Sequence, residues 1–225
     1  MLLEDIPSFL KISRTVLLPK VKGTRDPSKF RPITISLLLM RIFHKIFADR
    51  FKEIDLDKRQ RAFIESDGCA DNICLLDLAL KYHHTFKKNL FLATIDMQKA
   101  FESVVQKATI TILKAKSVPS RFISYYMNMY NGSLTILQHG DWSSDPIHPE
   151  CGEKQGDPLS PIIFNCMIDE MLRQLPEEIG VEMNGLRLNV MTFGDDLNLI
   201  ASTKRGLQSL INNAVLALYN CSGQS

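Results

Sequence analysis

Three aspartates in this 225-residue chain stand where carboxylates could share a cation. Asp195 and Asp196 are adjacent in Thr192-Phe193-Gly194-Asp195-Asp196-Leu197, and Asp96 ends the run Asn89-Leu90-Phe91-Leu92-Ala93-Thr94-Ile95-Asp96. Gly-Asp between the apolar-rich runs Leu186 to Phe193 and Leu197 to Ala201 is a hairpin signal, because Gly and Asp tolerate the positive φ of tight turns. Adjacent carboxylates at a strand end repel one another unless a cation lies between them. Mg²⁺ sits on one or two carboxylates plus substrate phosphates. If Asp96 closes on the hairpin from a neighbouring strand, the three could hold two ions about 3.5–4 Å apart, the spacing that clamps the attacking and leaving oxygens of a phosphoryl displacement. An acidic turn exposed to solvent has the same local sequence.

A second constellation is Gly152-Glu153-Lys154-Gln155-Gly156-Asp157-Pro158-Leu159-Ser160-Pro161. Gly156 permits close backbone approach, and the two prolines frame a helix start whose first N–H groups are expected to face the site. A plain loop-to-helix junction would read alike. The third feature is basic: Lys11, Arg14, Lys20, Lys22, Arg25, Lys29 and Arg31 stand against the single acid Asp26. That stretch suits phosphates, or is simply a solvated face.

The composition allows a packed core: 45% hydrophobic, 23% charged, net charge +2. Arg41, His44 and Lys45 interrupt the longest apolar run, Ile33 to Phe47, so no membrane span is expected. Met-Leu-Leu-Glu-Asp-Ile-Pro has no secretory signature. Cys69, Cys74, Cys151, Cys166 and Cys221 form no C-x-x-C pair and are odd in number, which argues against a disulfide framework or zinc site. His83-His84 lacks partners at metal-ligand spacing and is expected on a helix surface.

The elements that must position these residues follow from periodicity. A short helix opens the chain and leads into an extended Arg14 to Lys20. Pro32 keeps Arg31 extended. Helices are expected from about Ser36 to Ile54, with Leu39, Ile42, Phe43, Ile46, Phe47, Phe51 and Ile54 inward, and from Asp71 to Lys88, with Ile73, Leu76, Ala79 and Leu80 inward. A strand ending at Asp96 is followed by helices over about 103–116 and 120–130. A hairpin turns at Gly140-Asp141, a helix covers 158–175, and a last helix covers 204–220 with Leu207, Leu210, Ile211, Ala214 and Leu218 inward. This order predicts an α+β fold, an antiparallel sheet backed by helices.

Taken together, Asp96-Met-Gln-Lys99-Ala100-Phe101, Gln155-Gly156-Asp157-Pro158-Leu159-Ser160-Pro161 with Phe164-Asn165, and Phe193-Gly194-Asp195-Asp196 resemble, in order, the three central palm motifs of reverse transcriptases. Arg31-Pro32-Ile33 and Gln60-Arg61-Ala62-Phe63 look like the fingers motifs upstream. The wording of the motifs is similar to that of non-LTR (LINE-type) retrotransposons, and among these it most resembles the site-specific elements that insert into ribosomal RNA genes. The resemblance runs from about Arg14 to the end.

It implies a right-hand polymerase, with residues 1–88 mainly fingers and 89–225 mainly palm, that extends a DNA 3′-hydroxyl on an RNA template. Asp96, Asp195 and Asp196 would bind two Mg²⁺ ions, or Mn²⁺ in their place, with Asp96 and Asp195 as bridges and Asp196 supporting. Phe101 would pack on the deoxyribose and exclude a 2′-hydroxyl, although by itself it reads as a core aromatic. Gln155 and Gly156 would lie against the incoming dNTP and template base. Lys20 (or Lys22) and Arg31 would grip the triphosphate. Action in the nucleus is implied as well.

Two substitutions depart from the family pattern. Glu102 stands where Asp is usual, and Gly194 replaces a common Ala. Gly-Asp-Asp is also found in viral RNA-dependent RNA polymerases, but their second motif differs. A thumb, a DNA-binding zinc finger and an endonuclease are expected of a whole element and are not in these 225 residues. A fragment that binds nucleic acid without polymerising is the non-enzymatic alternative.

Overall fold

The computed structural model describes residues 6–65 and 67–222. In chain order the first elements are β1 (Ile12–Pro19), β2 (Phe30–Ser36), α1 (Leu38–Phe51), α2 (Gly68–Thr85), β3 (Phe91–Asp96), α3 (Gln106–Ala115) and α4 (Ser120–Tyr130). Then come β4 (Leu134–His139), β5 (Trp142–Ser143), α5 (Ser160–Arg173), β6 (Val181–Met183), β7 (Leu186–Leu188), β8 (Val190–Phe193), β9 (Asp196–Ala201) and α6 (Lys204–Ser222). The fold is mixed α+β. Two compact units share the chain: Met1–Ile54 with Phe101–Ile163, and Asp55–Ala100 with Phe164–Ser225.

The first unit holds a four-stranded sheet in the order β2-β1-β4-β5. β1 pairs antiparallel with β2 but parallel with β4, Ile12 facing Leu134, so this sheet is mixed. Ser13 and Thr15 of the central strand are buried, which only hydrogen bonding makes tolerable. The Thr15 hydroxyl meets those of Thr34 at 2.9 Å and Thr135 at 2.7 Å, joining three strands through one residue. Among the described residues the first turn is 3₁₀, Ser8–Lys11; the rest of the short opening helix expected from sequence lies outside the described residues.

α1 corrects the expected phase. Leu39, Ile42 and Ile46 are exposed (69%, 52% and 46%), while Met40, His44, Ala48 and Phe51 face inward. The inward face is rotated because its centre is a histidine with partners on both ring nitrogens. Phe43, Phe47 and Phe51 still pack edge-on against α4, Phe51 to Phe122 at 4.5 Å and Phe43 to Tyr125 at 5.4 Å between centroids.

The second unit is built on the three-stranded antiparallel sheet β3-β9-β8. α6 packs on β9 and β3, and α2 on β8. Ala79, Val181, Met183, Leu188, Met191 and Ile200 form a core, with Leu75, Leu76 and Tyr82 against it. α2 starts at Gly68, three residues before the expected Asp71, because Asp67 caps it by accepting from Ala70 N–H at 3.1 Å. Ile73 and Leu80 are exposed rather than inward, and His83 is buried rather than at the surface, its Nδ1 donating to the Ala79 carbonyl at 2.8 Å. The run Leu186 to Phe193 is two strands, not one. It breaks at Asn189, whose side chain donates to Pro176 O and accepts from Arg59, and β7 turns away to pair with β6. No helix among the described residues is long and apolar enough to cross a membrane.

Candidate active site

Phe193 faces Asp196 across a two-residue turn, Gly194-Asp195, that joins β8 to β9. Gly194 takes φ +65°, so only the first turn residue uses the left-handed region, as a type II′ hairpin requires. A side chain there would be strained by backbone conformation alone. β3 then brings its own last residue alongside: Asp96 is the cross-strand partner of Asp196, and Met97 N–H donates to Asp195 O at 3.4 Å. Asp96 and Asp196 therefore project from one face at the same end of the sheet, with Asp195 at the turn beside them.

Like charges directly opposite in a sheet destabilise it. Their effect registers on Asp196, whose carboxyl is raised above its ordinary range by partial burial first, then by the charges of Asp195 and Asp96. Among the described residues, no group of three His, Cys, Asp or Glu side chains is gathered tightly enough to hold an ion unaided. The donor set nevertheless suits a hard divalent cation: it is all carboxylate, and Mg²⁺ fills most of its shell with water and substrate oxygens.

The other five expected site residues belong to the first unit. The loop before α5 lies on the free edge of β2: Thr34 N–H donates to Gln155 O at 2.7 Å. Gly156 has φ +108°, and a Cβ there would come within 3.1 Å of Thr34 O and 3.2 Å of Ile33 Cγ2, so only glycine fits this approach. Arg31 is exposed three residues earlier on the same strand, opposite Leu18. Lys20 is exposed just beyond β1, its N–H donating to Lys29 O at 2.8 Å. Phe101, half-buried, accepts at its carbonyl from Glu153 N–H at 2.7 Å. Gln155 Oε1 is buried with no hydrogen-bond partner among the described residues.

One expectation fails here. The first amides of α5 are not free for a ligand. Leu159 N–H goes to Asp157 Oδ1 at 3.0 Å, Ser160 N–H to Asp157 O, and those of Ile162 and Ile163 to Leu159 O. Asp157 closes an Asx turn that leads into the helix.

Behind this loop lies a buried polar cluster that periodicity does not reveal. His44 (5% exposed) reaches Asp157 Oδ2 through Nδ1 at 2.6 Å and the Tyr125 hydroxyl through Nε2 at 2.6 Å. Glu153 (5% exposed) accepts from the hydroxyls of Tyr126, Tyr130 (2.6 Å) and Ser160 (3.3 Å). Lys154 Nζ is buried with no hydrogen-bond partner, and burial holds its ammonium below the usual lysine range. The one signal in the sequence was the run of tyrosines at 125, 126 and 130, whose hydroxyls need partners once the rings are buried.

Burial drives the Glu153 carboxyl from 4.5 up to about 7, against the pull of the Tyr126 and Tyr130 hydrogen bonds and with the charge of Asp157 adding to the rise. The folded value lies above the unfolded one. Its contribution to stability is therefore complete below pH 4.5 and disappears as pH climbs through 7, a change of about 3 kcal/mol. Denaturant unfolding at about pH 5 and about pH 8 should show the protein losing roughly that much, and Glu153→Gln should flatten the slope. An unaltered slope in the variant would remove Glu153 as its source.

The reverse transcriptase (RNA-dependent DNA polymerase) family matches residues 18–220. The chain is 40% identical, over 94% of its length, to the Retrovirus-related Pol polyprotein from type-2 retrotransposable element R2DM of Drosophila melanogaster. It is 43% identical, over 89% of its length, to that of a type-1 R2 element of Nasonia vitripennis. It spans 20% of the length of each of these relatives. In solved structures its fold is similar to apo telomerase from Candida tropicalis, with a TM-score of 0.64 at 13% identity over 96% of this chain and 44% of that one. The form truncated from its C-terminal domain gives 0.62 at 14% identity, over 97% of this chain and 49% of that one. By the extent of the family match and the order of its motifs, this chain belongs to the reverse transcriptase family, among the relatives that occur in R2 non-LTR retrotransposons.

Proposed function

We propose that this chain polymerises DNA on an RNA template from a DNA 3′-hydroxyl primer, as part of a retrotransposon Pol polyprotein acting at chromosomal DNA in the nucleus. The observation that carries the proposal is the register of the second unit, which sets Asp96 opposite Asp196 and beside the Asp195 turn. In this reading residues 1–88 are mainly fingers and 89–225 mainly palm. A thumb, zinc finger and endonuclease would be supplied by the rest of the polyprotein.

Asp96, Asp195 and Asp196 would hold two Mg²⁺ ions (or Mn²⁺), which when bound supply the positive charge that lowers the pKa of the primer hydroxyl and offsets charge on the departing pyrophosphate. The protein's own share is placement. Arg31 and Lys20, exposed at one end of the β1–β2 hairpin, are free to pair with the phosphates of a dNTP. Gln155 and Gly156, held flat on β2, offer a narrow wall against which a base pair can rest. Phe101, fixed at its backbone by Glu153 N–H, sets the ring that would contact the sugar.

Mg²⁺-dependent primer extension on an RNA template, by the chain alone and within a Pol polyprotein, tests the proposal. Template-bound but inactive protein in both settings would favour the reading as a fragment that only binds nucleic acid. The sugar contact has its own test. Phe101→Ala should raise ribonucleotide incorporation relative to deoxyribonucleotide by about 10- to 100-fold, since a lost steric clash of one hydroxyl is worth about 1–3 kcal/mol. Unchanged selectivity would sink that role.

A further inference from the structure

The turn that carries Asp195 and Asp196 is gripped from behind by a residue outside the hairpin. Gln60 is 3% exposed, and its amide meets both polar groups of the Gly194 backbone. Oε1 accepts from Gly194 N–H at 3.1 Å, and Nε2 donates to Gly194 O at 3.2 Å. The same Oε1 accepts from Ala62 N–H at 3.0 Å, which ties the turn to the segment preceding α2.

That segment is itself immobilised. Gln60 forms a β-bridge with Thr192, Thr192 N–H and hydroxyl both donate to Arg59 O (3.2 and 2.9 Å), and Arg61 N–H donates to Thr192 O at 3.3 Å. Asn72 Nδ2 adds a bond to Thr192 O at 2.9 Å. The Arg59 guanidinium is locked by Asp57 at 2.6 Å and by the Leu172 carbonyl at 2.8 Å. The clamp therefore has a rigid base.

Gly194 needs such a partner. In a two-residue hairpin the first turn residue has no strand partner for its N–H and C=O, and water normally takes them. Here Gly194 is buried, and a buried peptide group left unpaired is costly. A side-chain amide presents one donor and one acceptor side by side in a plane, the complement of the N–H and C=O of one residue. We infer that Gln60 is a positioning residue for the aspartate pair: by fixing the peptide plane that enters Asp195, it sets the direction in which Asp195 and Asp196 leave the turn. The inference rests on the reading of those two carboxylates as the catalytic pair. It gives the Gln60-Arg61-Ala62-Phe63 motif a structural task in the second unit, at the carboxylates rather than at the nucleotide.

Gln60→Glu keeps the size and the acceptor and, assayed at alkaline pH (about 8–9) where the carboxyl ionises, turns the donor into a second acceptor facing Gly194 O. Gln60→Leu removes both groups. In a Pol polyprotein, with Asp195→Asn run in parallel, both variants should lower kcat for primer extension about 100-fold while KM for dNTP stays within about twofold, the signature of misplacement by a fraction of an ångström to an ångström. In the full 225-residue chain without nucleic acid, Mn²⁺ affinity read by electron paramagnetic resonance should fall about 10-fold. Hydrogen exchange over residues 190–197 should rise while that of α6 is unmoved.

Wild-type kcat and Mn²⁺ affinity in Gln60→Glu, with Asp195→Asn inactive, would overturn the inference and leave the site reading intact. Full activity of Asp195→Asn would overturn the site reading, and hydrogen exchange would then decide whether Gln60 holds the turn at all. If Gln60→Leu fails to fold, the isosteric Gln60→Glu carries the test.

Discussion

Asp195→Asn should reduce primer extension by at least about a thousand-fold, equivalent to about 4 kcal/mol of transition-state stabilisation, and should at the same time make the protein slightly more stable. The two effects have one cause. Asp195, Asp196 and Asp96 are like charges at one sheet end, and the raised carboxyl of Asp196 records their mutual cost after that of burial. Replacing one charge by a neutral amide of the same shape relieves that cost. Asp196 is largely solvated, so the gain is screened to a few tenths of a kcal/mol. Thermal unfolding and extension rates on the same preparation check the pair of outcomes. A variant that lost activity together with several degrees of thermal midpoint would point to a folding defect instead.

How much of this was legible beforehand depended on how local the cause was. The hairpin could be read because Gly194-Asp195 is a two-residue turn whose chemistry lies within the turn itself. α4 matched its expected span, Ser120–Tyr130, because its apolar face is continuous and Pro119 marks its start. The faces of α1 and α2 differ from those periodicity predicts for a shared reason: His44, Asn72 and His83 occupy inward or half-inward positions, each with a polar partner that lies far along the chain or on the preceding turn. Periodicity counts such residues as solvent-facing and rotates the helix accordingly. The parallel pairing of β1 with β4 joins residues more than a hundred positions apart, and nothing in either strand announces it. The Asx turn made by Asp157 is hidden in the opposite way. Its motif is conspicuous, but beside Gln155 and Gly156 it reads as a ligand loop rather than as the lead-in to a helix.

That turn leads to the largest expected effect on stability. His44→Ala should destabilise the protein by about 3–5 kcal/mol, because it leaves Oδ2 of the buried Asp157 with only the Ser36 hydroxyl, at 3.4 Å, and strips the Tyr125 hydroxyl of its partner. In a chain of this size the thermal midpoint should fall by on the order of 10 °C. The loss is one of compensation more than of attraction, so Asp157→Asn in the His44→Ala background should recover part of it: the neutral amide is cheaper to bury alone than the carboxylate. Additive single losses in a double-mutant cycle would show that the two side chains are not coupled.

The same variant probes the site. Asp157 holds Leu159 N–H with Oδ1 and His44 with Oδ2, so its carboxylate is pinned between the start of α5 and α1. Releasing one end loosens the turn that presents Gln155 and Gly156 to β2. KM for dNTP should then rise, by about 10-fold if the wall against the base pair shifts by a few tenths of an ångström, while the residual kcat at saturating dNTP stays near that of the parent. A fall in kcat with KM unchanged would place the influence of His44 on the carboxylate turn, which belongs to the other unit and has its own support in Gln60.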